Sequence, residues 1–282
     1  QPEIHAYLEG VMDHHGIEPH VQFRSTVESA TWNDDRALWT VAYTNADGDL
    51  VTIEANAVIC AVGQLNRPSI PALSGAERFA GPSFHSARWD HDVELDGKDV
   101  ALIGAGASGF QIAPAIAATV RSLSVYQRTA QWIAPNPLYY QPVGEGVAWA
   151  LEHLPFYDRW YRTLVAYAVT DGAAVSTRID PEWDGGNESV SEINLLTREF
   201  FLATYEDHVA DPELLEKLTP DYPCLGQRTL QDDGTWFRTL QRENVELVRD
   251  PIETISEHGI RTVDGVERPA DVLVYATGFV VP

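Results

Sequence analysis

Gly104-Ala-Gly106-Ala-Ser108-Gly109 follows the apolar run Lys98–Ile103 and opens a helical pattern over 108–119. A G-x-G-x-x-G between a strand and a helix is suited to the pyrophosphate of a dinucleotide. Gly104 permits the tight turn, Gly106 lets backbone approach phosphate, and Gly109 lets helix and strand pack closely. The helix N-terminus, with Ser108 in its first turn, offers free N–H groups and a positive dipole end. A second strand over 122–127 leads into Val125-Tyr-Gln-Arg128-Thr129. An NAD site carries Asp or Glu there, roughly 20 residues beyond the glycines, to accept from the ribose 2′-OH. This stretch has no carboxylate. Arg128 can pair with a 2′-phosphate through its planar fork, and Thr129 adds a hydroxyl. Charge therefore favours NADP over NAD.

Upstream, Phe79-Ala-Gly81-Pro-Ser-Phe-His85-Ser-Ala-Arg-Trp89-Asp90 reads F-x-G-x-x-x-H-x-x-x-W-D. Followed by the glycine motif, it resembles the fingerprint of Baeyer–Villiger monooxygenases, flavoenzymes that use NADPH and O2 to turn ketones into esters. The resemblance covers nearly the whole chain. It leans towards the 4-hydroxyacetophenone monooxygenase type over Phe79–Trp132 and Tyr222–Val248. It implies an α/β fold with a Rossmann-like NADP-binding domain carrying a helical insertion, plus part of an FAD-binding domain with β-meanders. It also implies that His85 couples domain movement to cofactor contacts, while Phe79, Gly81, Trp89 and Asp90 shape the linker. Pro223-Cys-Leu-Gly-Gln227-Arg228 is similar to a second family stretch. There Arg228 would lie over the flavin and stabilise the anion formed on it, a task for a cation that stays charged. Gln227 departs from the pattern, since the family has Lys there to help hold the 2′-phosphate; a weaker preference for NADPH follows. Gly63-Gln64 and Thr277-Gly278 resemble flavin-side segments. FAD and NADPH are the cofactors implied.

The elements around these residues follow from periodicity. Helical spacing marks 2–15; short alternating runs at 20–24, 27–32, 37–44 and 50–53 form a meander. Ala57–Val62, ending at Gly63, reads as a buried parallel strand. The same plan returns at 245–268, leading into the apolar run of Ala270–Gly278, and Ala55–Gly63 and Ala270–Gly278 share Ala, Ala and Gly at equal offsets. This echo suggests two nucleotide-binding units. Residues 67–78 are a Pro-rich connector. Residues 145–170 and 190–218 are helical, with aromatic stripes (Trp149, Phe156, Trp160, Tyr167; Phe200, Phe201, Tyr205) expected to pack in the core. The expected domains are 1–66, part of the FAD unit; 67–92, the linker; 93–240, the NADP unit with its insertion at about 138–220; and 241–282, a return to the FAD unit. No Gly-rich turn precedes residue 63, so the strands ending at Gly63 and Gly278 are expected to lack their central neighbours. The chain alone is expected to bind FAD poorly and not to turn over.

Composition narrows the classes. A chain of 282 residues can bury a sizeable core. Its net charge of −23 argues against nucleic acid and anionic membrane as partners. No apolar run approaches the roughly 20 residues of a membrane span, and no leader is evident, although the chain starts at Gln1. Cys60 and Cys224 suggest reduced thiols in a cytoplasmic protein. The nine His residues are scattered, so no metal site is expected. The partners expected are a small ketone and O2. Two other readings remain open: an N- or S-oxygenating flavin monooxygenase, against which Trp89-Asp90 speaks, and a non-catalytic NADP-binding module.

Overall fold

In a computed structural model, which describes residues 2–280, the chain divides into two compact units, Gln1–Gly63 and Gln64–Pro282. In the first, helix α1 (Pro2–His14) precedes an antiparallel meander of β1 (Thr26–Asn33), β2 (Leu38–Thr44) and β3 (Leu50–Ala55). Alternation sets the pairing, with Trp32 opposite Trp39 and the rings 5.6 Å apart. The 20–24 run forms no strand; a short 3₁₀ turn at Glu18–His20 takes part of it.

The second unit is built on a parallel sheet of β4 (Ser83–His85), β5 (Asp99–Ile103), β6 (Ser122–Tyr126), β9 (Val245–Val248) and β13 (Val272–Tyr275), in the order β4-β13-β5-β6-β9. Strands β7 (Ile133–Pro135) and β8 (Leu230–Asp232) form a small parallel pair. A second antiparallel meander comprises β10 (Ile252–Ile255), β11 (Gly259–Thr262) and β12 (Glu267–Pro269). The helices are α2 (Ala107–Ile116), α3 (Glu145–His153), α4 (Tyr157–Val169), α5 (Asp171–Ala174), α6 (Glu192–His208), α7 (Pro212–Leu218) and α8 (Thr235–Leu240).

The strands are apolar on both faces, and period 2 divides them between two cores. Val100, Leu102, Leu123, Val125, Val272 and Val274 point to one side, against Phe110 and Ala113 of α2 and Trp236 and Phe237 of α8. Ala101, Ile103, Tyr126, Leu273 and Tyr275 point to the other, against Ile255 and Ile260 of the second meander. Each fully buried Leu or Val here contributes about 1.5–3 kcal/mol. In the insertion, α6 sends Tyr205 into the helix-side core. Its hydroxyl accepts from Ile133 N–H (2.8 Å) and donates to the Gln131 carbonyl (3.0 Å).

Three expectations are corrected. The run 57–62 forms no strand and lies exposed, with Ile59 89% accessible; an apolar run needs strands on both sides to become a parallel strand. The run ending at Gly278, expected to lack its central neighbours, is instead an interior strand: β13 lies between β4 and β5, with Leu273 opposite both Ser83 and Ala101. Segment 241–282 accordingly supplies two strands to the β5–β6 sheet instead of leaving it. Finally, Phe201 and Tyr205 are buried as expected, but Trp149, Phe156, Trp160, Tyr167 and Phe200 are exposed. Among the described residues, α3 buries only Ala150.

The amino edge of the sheet carries an ion cluster. Asp99 accepts from Arg121 Nε (2.8 Å) and Nη2 (2.6 Å) and from Ser122 Oγ (2.7 Å); Asp271 Oδ2 accepts from Arg121 Nη2 (3.1 Å) and Asp99 N–H (2.8 Å). The Arg121 hydrogen bonds, with help from Ser122, hold the Asp99 carboxyl below its ordinary value despite partial burial. A depressed folded-state pKa gives stability that is fully present above the unfolded value of about 3.9 and is lost as pH falls through the folded value. Asp99→Asn should therefore flatten the acid limb of a Tm-versus-pH curve below about pH 4. An unchanged acid limb would remove Asp99 from the acid transition.

Candidate functional site

The carboxyl ends of β5, β6, β9 and β13 open onto one cavity of about 890 Å³. The chain runs from β5 out to β6 and β9, then returns to β13 on the other side of β5, so the cavity lies at the switch point where parallel sheets bind ligands. Its floor is the glycine turn. Gly104, at φ +108°, passes close to the Ala276 carbonyl, and Gly109 lies directly against the Gly104 carbonyl. Neither has room for a Cβ. Gly106 is different: nothing lies within 4 Å of where its Cβ would be. It caps α2 without a side-chain bond, and the first turn of α2 holds no acid. The first-turn N–H groups, which lack intrahelical partners, are thus left for an anion. A phosphate cradle fits this geometry.

The walls carry cations. Arg128 and Thr129 after β6, and Arg228 before β8, all line the cavity. Arg128 and Arg228 make no ion pair with any described residue, whereas Arg121, Arg198 and Arg268 are each paired with carboxylates. In an acidic chain such pairing is easily satisfied, so cations left without it at a cavity are suited to an anionic ligand.

Of the expected site residues, Gly104, Gly106, Ser108, Arg128, Thr129, Arg228, Thr277 and Gly278 all line this cavity. Gly109 is buried beneath it and serves packing. Thr277 Oγ1 donates to the Ser69 carbonyl and Gly278 has φ +81°, so this pair holds the connector across the cavity. Gln64 and Gln227 are exposed and outside the lining; Gly63 belongs to the first unit, at φ +70°.

The fingerprint residues surround β4. Phe79 packs on the meander side, while Trp89 packs on the helix side, 5.0 Å from the Phe84 ring. Gly81 is required because a Cβ there would strike the Asp271 carbonyl. Asp90 Oδ1 accepts from Asp92 N–H, closing a turn (3.1 Å). His85 is buried behind the cavity wall and does not line it. Its ring meets Phe279, a lining residue, at 5.6 Å. Nδ1 accepts from Ala87 N–H (3.1 Å), so a neutral ring carries its proton on Nε2, which is buried and makes no hydrogen bond among the described residues.

Sequence reasoning missed Ser69, Pro71 and Leu73 of the connector, Gln131, and Arg249 and Asp250 after β9. The connector is drawn in by Ser69 N–H to the Gly278 carbonyl (2.9 Å) and Val280 N–H to the Arg67 carbonyl (2.8 Å). Arg249 was findable as the first residue beyond a strand parallel to β6. Asp250 places a carboxylate in the lining, although the stretch 125–129 itself has none.

A model described as flavin-binding monooxygenase-like matches residues 1–138. A Baeyer–Villiger monooxygenase of Streptomyces coelicolor is 33% identical over 280 residues, 99% of this chain and 50% of its own length. One of Pseudomonas aeruginosa is 31% identical over 279 residues, again 99% and 50%. The chain is similar to flavin-binding monooxygenases, and to Baeyer–Villiger monooxygenases among them, over nearly its whole length. A crystal structure of cyclohexanone monooxygenase from Rhodococcus sp. Phi1 bound to NADP+ superposes with TM-score 0.79 at 29% identity, covering 99% of this chain and 56% of that one. The chain thus spans about half the length of these relatives. Among the described residues no helix is long and apolar enough to cross a membrane.

Proposed function

We propose that this chain forms the NADP-binding and linker part of a monooxygenase that uses FAD, NADPH and O2 to convert ketones to esters. The observation that carries this reading is the cavity at the switch point of the sheet, where the glycine turn, Arg128 and Arg228 converge. The names of relatives matched over 99% of the chain support the reaction class. FAD, when bound, supplies the centre that takes hydride from NADPH and reacts with O2.

The chain's own residues divide the remaining work. The α2 N-terminus holds the pyrophosphate, and Arg128 with Thr129 holds the 2′-phosphate. Arg228 stabilises negative charge on the activated oxygen and on the carbonyl oxygen under attack. His85, one ring behind Phe279, positions the linker. The family resemblance assigns Gly63, Gln64, Thr277 and Gly278 to flavin-side segments. By itself, the 282-residue chain is expected to bind the nicotinamide cofactor without turning a ketone over.

The test uses the whole flavoprotein with NADPH, offered an aryl ketone or a thioether. Ester formed in step with NADPH consumed is the expected result. Sulfoxide without ester would move the reading to an S-oxygenating enzyme. Failure to oxidise NADPH with either substrate would leave a binding module.

A further inference from the structure

Arg249 is the first residue after β9, and β9 lies beside β6 with Val248 opposite Tyr126. The ladder continues one step further, through Gln127 N–H to the Val248 carbonyl (2.8 Å). Arg128 and Arg249 therefore leave neighbouring strands at the same edge, and both line the cavity. Arg249 is half-buried, and Nη1 reaches the Lys217 carbonyl at the end of α7 only at 3.5 Å. The same carbonyl accepts from Gln127 Nε2 at 2.9 Å. The end of α7 thus steadies the loop beyond β6 and the Arg249 side chain together. Like Arg128, Arg249 has no ion pair with any described residue. Gln227, where the family resemblance expects a cation, is outside the lining.

We propose that Arg249 is the second cation for the adenosine 2′-phosphate, acting with Arg128 in the role that residue 227 does not fill. The inference rests on the dinucleotide reading of the cavity. Two guanidinium groups on adjacent strand ends can grip a dianionic phosphate from two sides, which a single exposed Arg cannot do. Asp250 supplies the competing possibility. A carboxylate at this edge could accept from a free ribose 2′-OH and so favour the unphosphorylated cofactor.

The test is calorimetric titration of the 282-residue chain with 2′,5′-ADP and with 5′-ADP. The parent chain should prefer 2′,5′-ADP. Arg249→Ala should weaken that ligand about tenfold and leave 5′-ADP within about twofold. Arg249→Gln, which keeps a donor for the Lys217 carbonyl, should lose the same preference and shows that lost charge is the cause. Asp250→Asn should strengthen 2′,5′-ADP slightly, by removing a like charge. If Arg128→Ala weakens 2′,5′-ADP while both Arg249 variants leave it unchanged, the Arg249 proposal is overturned and the dinucleotide reading stands. If the parent chain shows no preference, both fall. A selectivity governed by Asp250→Asn alone would overturn the assignment in favour of ribose recognition.

Discussion

Arg228→Ala should lower ester formation by the whole flavoprotein ~10²–10³-fold in kcat while 2′,5′-ADP binding stays unchanged. The magnitude follows from how firmly the residue is placed. Arg228 itself is exposed to the cavity, but its loop is tied on both sides. Before it, the Tyr222 hydroxyl donates to the Ala130 carbonyl (3.1 Å), the Tyr222 carbonyl accepts from Trp132 Nε1 (3.1 Å), and Asn194 Nδ2 holds the Cys224 carbonyl (2.8 Å). Burial pushes the Cys224 thiol up to about 11, as expected of an inert packing residue. Leu225 takes a left-handed turn at φ +62°. After it, Leu230 N–H bonds the Trp132 carbonyl (2.8 Å). A guanidinium carried on a loop anchored in this way starts close to where negative charge develops, which limits reorganisation. NADPH oxidation should continue in the variant, uncoupled from ester. Arg228→Lys should recover part of the rate, because it restores charge without the planar fork. Product quantified against NADPH consumed checks this; an alanine variant with parental coupling would assign Arg228 a structural role.

The site was legible where chemistry and local pattern coincide. The Lys98–Ile103 run, the three glycines and the 108–119 period specify strand, turn and helix together, and β5, Gly104–Gly109 and α2 follow them closely. Arg128 was legible because it stands at a fixed distance beyond that turn. The sequence echo also has a counterpart, since each unit contains a three-stranded antiparallel meander before its apolar run. The fate of those runs was not legible. Residues 57–62 and 272–275 are alike in composition and both end before a positive-φ glycine, yet one is exposed and the other is an interior strand. The difference lies in which strands are available to pair, a tertiary property absent from a local window. Arg249 escaped notice for the same reason. Its relevance comes from β9 lying beside β6, and these strands are far apart in sequence. The stripes on α3 and α4 look like those on α6, and only the presence of a partner surface separates buried Tyr205 from exposed Trp160.

Gly109→Ala should abolish detectable 2′,5′-ADP binding by the chain and destabilise the second unit by about 2–3 kcal/mol. Gly109 sits in the first turn of α2, and the added Cβ would press on the carbonyl of Gly104, with the Ala276 methyl 3.5 Å away. Neither side can yield cheaply. Gly104 is held by its N–H to the Tyr126 carbonyl (2.9 Å), and Ala276 by its N–H to the Ile103 carbonyl (2.8 Å). The strands behind them are interior and apolar on both faces. Relief therefore requires α2 to lift away from β5. That lift opens the packing of Phe110 and Ala113 and moves the first-turn N–H groups away from where a phosphate must sit. A Tm lower by roughly 5–10 °C accompanies the loss of binding. Gly106→Ala is the control: its Cβ points into open space, so the fold should keep its Tm while binding weakens from steric occupation of the cradle. Thermal melts and 2′,5′-ADP titrations of the two variants separate the roles, since only Gly109→Ala should change both. If Gly109→Ala melted with the parent chain and bound as well, the close approach of α2 to β5 would not be what shapes the phosphate site.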